Sequence, residues 1–346
     1  MQAKTRQSKE LVGNVTILVG RKTQQLGNKI GDRKTVRQNG EKKGGRKYCV
    51  CNPRGEVRNP FGSLIRCKTC GWLVSVSLPV QKSDNNPTPI MTQTWGYGNN
   101  NGPLKWYQFY AIAKEGKRQS PIDIVTAKAE YDPELPSRPF LVNYQCEKNM
   151  ELENNGHSVK AQMKERSELS GGPLKGIYLL EQFHLHWGAE NGKGSEHTID
   201  GEKYDAELHL VHYNSKYGSF AKAADKEDGL AVFGFMVKVG KSHEGFEKIS
   251  NDLQNVMAKG KKSTLDSFNP RCLFNDPSSY WTYMGSLTTP PLYESVIWIV
   301  FKSPLEISQQ QMDSLRSLKD SDGDKIVNNY RPPLPVGDRI VNCSFH

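Results

Sequence analysis

The stretch Gln182-Phe183-His184-Leu185-His186-Trp187 constrains this chain more than any other. As a β-strand its side chains alternate between faces, so His184 and His186 point one way and Phe183, Leu185 and Trp187 the other. Such a strand needs an apolar layer on one side and presents two imidazoles on a rigid support. The run Ala206-Glu207-Leu208-His209-Leu210-Val211-His212 alternates in the same way. There Glu207, His209 and Val211 share one face and Leu208 and Leu210 enter the core, which makes His209 available as a third corner. Three neutral imidazoles with an open fourth position are the donor set of a catalytic Zn2+, not of a closed structural one.

A lone strand histidine is ordinarily a hydrogen-bonded core or surface residue, and an H-x-H pair by itself does not decide for metal. The neighbours in phase do. Gln182 accompanies the first pair and Glu207 accompanies His209, each able to hold the ring nitrogen that a metal leaves unused.

A chain of 346 residues forms one large domain or two smaller ones. Its net charge of +10 hides a division. Residues 1–90 carry 18 Lys+Arg against 5 Asp+Glu, a net +13, and residues 91–346 carry the remaining 29 against 32, a net −3. Lys, Arg, Gly, Asn and Gln dominate residues 21–58 with little apolar periodicity, as in a solvated, disordered basic extension. Three functional readings compete with that one. Cys49, Cys51, Cys67 and Cys70 suggest a zinc knuckle, although the first pair is C-x-C. The charge permits contact with nucleic acid or another anionic surface, although interleaved aromatics are scarce. An organelle presequence is the third, against which Glu10 and weak amphipathicity count.

No apolar run approaches the ~20 residues that span a bilayer. The first residues lack a charged stub leading into an apolar segment, so no secretory signal is expected.

From Trp95 the texture changes. Trp95, Tyr97, Trp106, Tyr107, Phe109 and Tyr110 form an aromatic cluster suited to closing one end of a domain. Residues 177–187, 207–213, 230–239 and 295–302 are strand-like, rich in β-branched and aromatic side chains. Helices are expected over 245–259, where Phe246, Ile249, Leu253 and Val256 recur at helical spacing before Gly260, and over 308–318, where Ser308 and Gln311 make a capping-box pattern. The expectation is a mainly β domain over 91–346 with peripheral helices.

Residues 182–187 and 207–212, with Gly194-Ser195-Glu196-His197-Thr198 and Ser286-Leu287-Thr288-Thr289-Pro290-Pro291, resemble the α-class carbonic anhydrases. So do Gln119-Ser120-Pro121-Ile122-Asp123, Asn155-Gly156-His157 and Asn329-Tyr330-Arg331-Pro332. The resemblance runs in order from residue 94 to residue 345. It implies a large, twisted, mostly antiparallel central sheet of about ten strands with short peripheral helices. It also implies a zinc lyase that hydrates carbon dioxide reversibly to bicarbonate and a proton, by attack of zinc-bound hydroxide.

The resemblance assigns Zn2+ to His184, His186 and His209, with Gln182, Glu207 and the backbone carbonyl of Asn329 orienting the rings. It gives Thr288 the task of orienting the hydroxide while donating to Glu196. His157 becomes the proton shuttle, a task that suits an unperturbed pKa near 6.5. Tyr97, Asn155 and Gln182 order the intervening waters. Val211, Val232, Leu287, Thr289, Val296 and Trp298 match the substrate pocket, and His197 and His212 read as structural. Lys160 departs from the uncharged residue common three places after the shuttle, and its charge is expected to lower the pKa of His157.

Carbon dioxide and bicarbonate are the implied ligands, sulfonamides and anions the implied inhibitors, pH regulation the implied role and a monomer the implied state. Secreted relatives commonly join the segment before Gln119 to the loop after Pro291 by a disulfide; residues 114–118 and 292–295 hold no cysteine, which favours a cytoplasmic location. The rival reading is a catalytically silent relative that uses the scaffold for binding, a class that typically loses a zinc histidine. Met91 begins a family-like start and also reads as the natural initiator, which would make residues 1–90 an upstream extension or a gene-model error.

Overall fold

A computed structural model describes residues 95–346 apart from 276–277, and before them only the backbone pairing of Ile65–Arg66 with Leu73–Val74. The knuckle, tether, presequence and extension readings of residues 1–90 lie outside the described residues.

Eight strands position the site. They are β1 (Met150–Asn154), β2 (Val159–Gln162), β3 (Tyr178–Trp187), β4 (Ala206–Asn214), β5 (Leu230–Val239), β6 (Lys262–Leu265), β7 (Tyr280–Gly285) and β8 (Val296–Ile307). They lie in the order β6-β1-β2-β3-β4-β5-β8-β7, and Asn342–Cys343 and Glu130–Tyr131 continue the far edge. Leu141–Asn143 and Glu168–Ser170 add to the edge beside β3, which makes a sheet of 12 strands. Pairing is antiparallel except between β5 and β8 and between the two short far-edge strands. The long excursion from β5 to β8 makes the parallel pair possible, since parallel neighbours need a crossover and not a hairpin.

Both faces of the sheet are covered, so β5 reads as a nearly unbroken apolar run and not an alternation. One face joins Phe183, Leu185, Trp187, Leu208, Leu210 and Phe233 into a core with Phe246, Ile249, Met312 and Leu315. The other gathers Val211, Val232, Val296 and Trp298 with Ile122 and Ile124. Each such large side chain, fully buried, contributes roughly 1.5–3 kcal/mol.

Two helices lie on the first face. Glu244–Asp252 (α1) begins one residue before the predicted start, because the ring of His243 accepts the amide of Phe246 at 3.2 Å and caps it. Its last turn tightens into a 3-10 segment, Leu253–Val256. Gln309–Arg316 (α2) carries the predicted capping box: the Ser308 hydroxyl accepts the amide of Gln311, and the Gln311 side chain accepts the amide of Ser308. No helix among the described residues is long and apolar enough to cross a membrane.

Candidate metal centre

Antiparallel register sets His184 of β3 opposite His209 of β4, and His186 opposite Glu207. The three imidazoles face away from the larger core, with ring centroids 4.8–5.3 Å apart. Each ring has one nitrogen committed. His184 Nδ1–H donates to Gln182 Oε1 at 2.9 Å, His186 Nδ1–H to the carbonyl of Asn329 at 2.7 Å, and His209 Nε2–H to Glu207 Oε1 at 2.7 Å. These bonds set the tautomers and turn the lone pairs of His184 Nε2, His186 Nε2 and His209 Nδ1 inward. His184 Nε2 and His186 Nε2 approach to 3.1 Å. Tetrahedral zinc with ligand bonds of ~2.0–2.1 Å wants nitrogens about 3.3 Å apart.

Burial first, and then the neighbouring rings, hold the pKa of His184 well below the ordinary imidazole value; burial likewise lowers His186 despite the Glu196 charge beside it. Both therefore stay neutral near pH 7, the form that binds metal.

Glu207 does more than its position in the alternation suggests. Its Oε1 also takes Nδ1–H of His197 at 2.7 Å, and its Oε2 accepts the amides of Glu196 and His197, each at 2.8 Å. Burial pushes this carboxyl up, but His197 and His209 together outweigh it and leave it well below the carboxylate range. The other nitrogen of His197 accepts the Tyr283 hydroxyl at 2.6 Å, and Tyr283 meets Ser120 Oγ at 2.9 Å. His197 is thus a link in a buried chain from Ser120 to His209. Gly234, opposite His209, makes room for it: a Cβ there would stand 3.3 Å from Glu207 Oε1 and 3.5 Å from the Trp298 ring.

Glu196 is fully buried. Its Oε1 accepts the amide of Arg331 at 2.8 Å, while the Arg331 guanidinium donates to Gln119 Oε1 and the carbonyl of Ser120. Its Oε2 has no hydrogen-bond donor and lies 3.4 Å from His186 Nε2 and 4.0 Å from His209 Nδ1. The expected bond from Thr288 is not formed among the described residues. Thr288 is itself buried, and the Glu196 oxygen lies against His186 and His209 instead. A buried anionic oxygen without a donor, beside converging imidazole lone pairs, is a set of acceptors that a divalent cation satisfies. The donor set fits Zn2+.

His157 sits in a turn between β1 and β2. Asn155 Oδ1 accepts the amides of His157 and Ser158, and Gly156 supplies φ +87°. The imidazole stacks on Trp95 at 4.0 Å, with Tyr97 at 6.5 Å. Its pKa is lowered, but not by the residue singled out from the sequence. Burial leads, the charge of Lys259 follows, and Asp320 opposes both. The Lys259 stem lies so close to Gly156 that a Cβ there would be 2.6 Å from its Cδ. Lys160 is the cross-strand partner of His184, and its charge falls on that ring. Strand pairing thus redirects a charge that sequence separation placed beside His157.

Val211, Val232, Val296 and Trp298 are buried together, with Leu287 packed on them and Thr289 half-buried next to Thr288. The Trp298 ring lies 4.8 Å from that of His209 and its indole N–H donates to the carbonyl of Ser286. His212 faces the other way, held by the Tyr144 hydroxyl at 2.6 Å and donating to the carbonyl of Ala231. Burial drives its pKa down to about 3. Tyr283 and Lys259 carry no local sequence signal for the places they take; each reaches the site from a distant part of the chain.

A family model of eukaryotic-type carbonic anhydrases matches residues 101–345. The chain is 46% identical over 259 residues to carbonic anhydrase 7 of Homo sapiens, an alignment covering 72% of this chain and 97% of that protein. It is 45% identical over 262 residues to carbonic anhydrase 3 of Sus scrofa, covering 74% of this chain and 100% of that protein.

Proposed function

The chain belongs to the eukaryotic-type carbonic anhydrase family, and from that premise we propose that it hydrates carbon dioxide reversibly at a Zn2+ ion held by His184, His186 and His209. The observation that carries the proposal is the convergence of three imidazole lone pairs within 4.8 Å of one another, with the donorless oxygen of Glu196 beside two of them. When bound, the ion supplies Lewis acidity that brings the ionisation of water to about pH 7. Gln182, Glu207 and the Asn329 carbonyl keep the rings in the tautomers that face it. The Thr288 hydroxyl and Glu196 orient the attacking water. Val211, Val232, Leu287, Val296 and Trp298, with Thr289 at the rim, offer uncharged carbon dioxide an apolar wall. His157 receives the proton released in each turnover and passes it to buffer, with Tyr97 and Asn155 ordering water on the way.

Residues 91–346 form the catalytic domain and residues 1–90 a basic extension; the enzyme is a cytoplasmic monomer, blocked by sulfonamides and anions and serving pH regulation. Retention of all three histidines with Thr288 and Glu196 favours an active enzyme over a silent one. Zinc analysis and stopped-flow hydration on the full chain, beside His186→Ala, test this. One zinc per chain and rapid hydration, both lost in the variant, are expected. A zinc-loaded but inactive wild type would leave the silent reading standing.

A further inference from the structure

Asn329 enters the proposed function only through its backbone, yet its side chain is 1% exposed and fully engaged. Its Oδ1 accepts the amide of Trp187 at 2.7 Å, and its Nδ2 donates to the carbonyl of His157 at 2.8 Å, with the carbonyl of Leu185 at 3.5 Å. The backbone carbonyl of the same residue takes Nδ1–H of His186. The amide has one orientation, because Oδ1 must face an N–H and Nδ2 must face carbonyls. The neighbouring backbone is also tied down: Asn328 Oδ1 accepts the amide of Ala189, and the amide of Arg331 reaches Glu196.

The backbone of His157 is otherwise held within its own turn. Its amide goes to Asn155 within the turn, and the bond from Asn329 is the one that the His157 backbone makes outside it among the described residues. The ring itself stacks on Trp95. The turn is thus tied to the strand end that carries His186 and Trp187 at two points, through Ser158 Oγ, which donates to the carbonyl of Leu185 at 2.5 Å, and through the Asn329 amide, which alone of the two holds the backbone of His157.

We propose that Asn329 is a positioning residue for proton transfer, whose side-chain amide sets the place of His157 relative to His186. The inference rests on the reading of His157 as the shuttle. Asn329→Asp keeps the acceptor for Trp187 and the backbone carbonyl for His186, but turns a second carboxylate oxygen toward the His157 carbonyl, so the turn is pushed away. Asn329→Ser, which lacks the reach, removes the bond to the His157 carbonyl without burying a charge.

The test uses the full-length zinc-loaded protein in weak and in imidazole-rich buffer, with His157→Ala alongside. kcat/KM contains the steps through conversion of carbon dioxide, whereas kcat in weak buffer contains proton removal. In both Asn329 variants weak-buffer kcat should fall about fivefold or more beyond any change in kcat/KM, and imidazole should restore it. The His157 Cε1–H resonance, displaced in the wild type by the Trp95 ring, should move in both. Parallel loss of kcat and kcat/KM, or loss of zinc, would assign Asn329 to the metal ligands alone and overturn the proposal. An unmoved resonance with unchanged kcat would overturn it as well. If His157→Ala leaves weak-buffer kcat intact, the shuttle reading itself fails, and this inference with it.

Discussion

His209 and Glu207 stand two residues apart on one strand, and the Nε2–H of the first donates to Oε1 of the second at 2.7 Å. That bond decides which imidazole nitrogen is left for the metal. Because the same oxygen also serves His197, both rings depend on an acceptor that never donates.

Glu207→Gln puts an amide where two ring N–H groups and two backbone amides converge. One arm of the amide must donate, so at least one of these partners is lost. Zinc affinity should fall about 10–100-fold, with a smaller loss for Gln182→Ala, as measured by competition with a chromophoric chelator. Equal affinity in wild type and Glu207→Gln would remove Glu207 from the account.

Thr288→Ala tests whether the hydroxyl orients water although it makes no bond to Glu196 here. Loss of one aligned hydrogen-bonding group at the reacting centre should lower kcat/KM about 10²-fold with zinc content unchanged. A change below twofold would leave Thr288 a packing residue.

Lys259 and Lys160 separate by titration. Lys259 holds the His157 pKa down, so Lys259→Ala should move it up toward 6.5, and the pH profile of weak-buffer turnover should move up with it. Lys160→Asn should leave the His157 resonance titrating as in the wild type. An upward shift in Lys160→Asn alone would reverse the assignment of the two charges.

His212 is neutral in the folded protein down to about pH 3, whereas in the unfolded chain it protonates near 6.5. Between those values the unfolded chain binds more protons, so stability falls as pH falls, by about 1.4 kcal/mol per unit from this residue. Urea unfolding at pH 7 and pH 5 should show that slope, reduced by about that amount in His212→Gln. Parallel pH dependences would show that His212 titrates alike in both states.

Much of the site was legible because alternation is a local property. The two faces of residues 182–187, the in-phase acceptors Gln182 and Glu207, and the Ser308 cap all follow from spacing alone. What spacing cannot supply is the partner across space. The parallel pairing of β5 with β8 depends on a crossover, and two short outer strands carry too little pattern to be seen. Sequence spacing sets Lys160 three residues from His157, yet sheet register sends it to His184. Lys259, about a hundred residues further along the chain, takes the expected place.

The three imidazoles ride on two adjacent interior strands, with further strands paired on both sides. The outermost strands, which fray first, carry none of them. The triangle of nitrogens is built from the same ladder that holds the domain together, so drift in surface loops that touch none of the three rings has no handle by which to detune it. Its failure in a lineage should therefore come abruptly, through exchange of one of the three imidazoles or of an acceptor that holds its ring, such as Gln182 or Glu207.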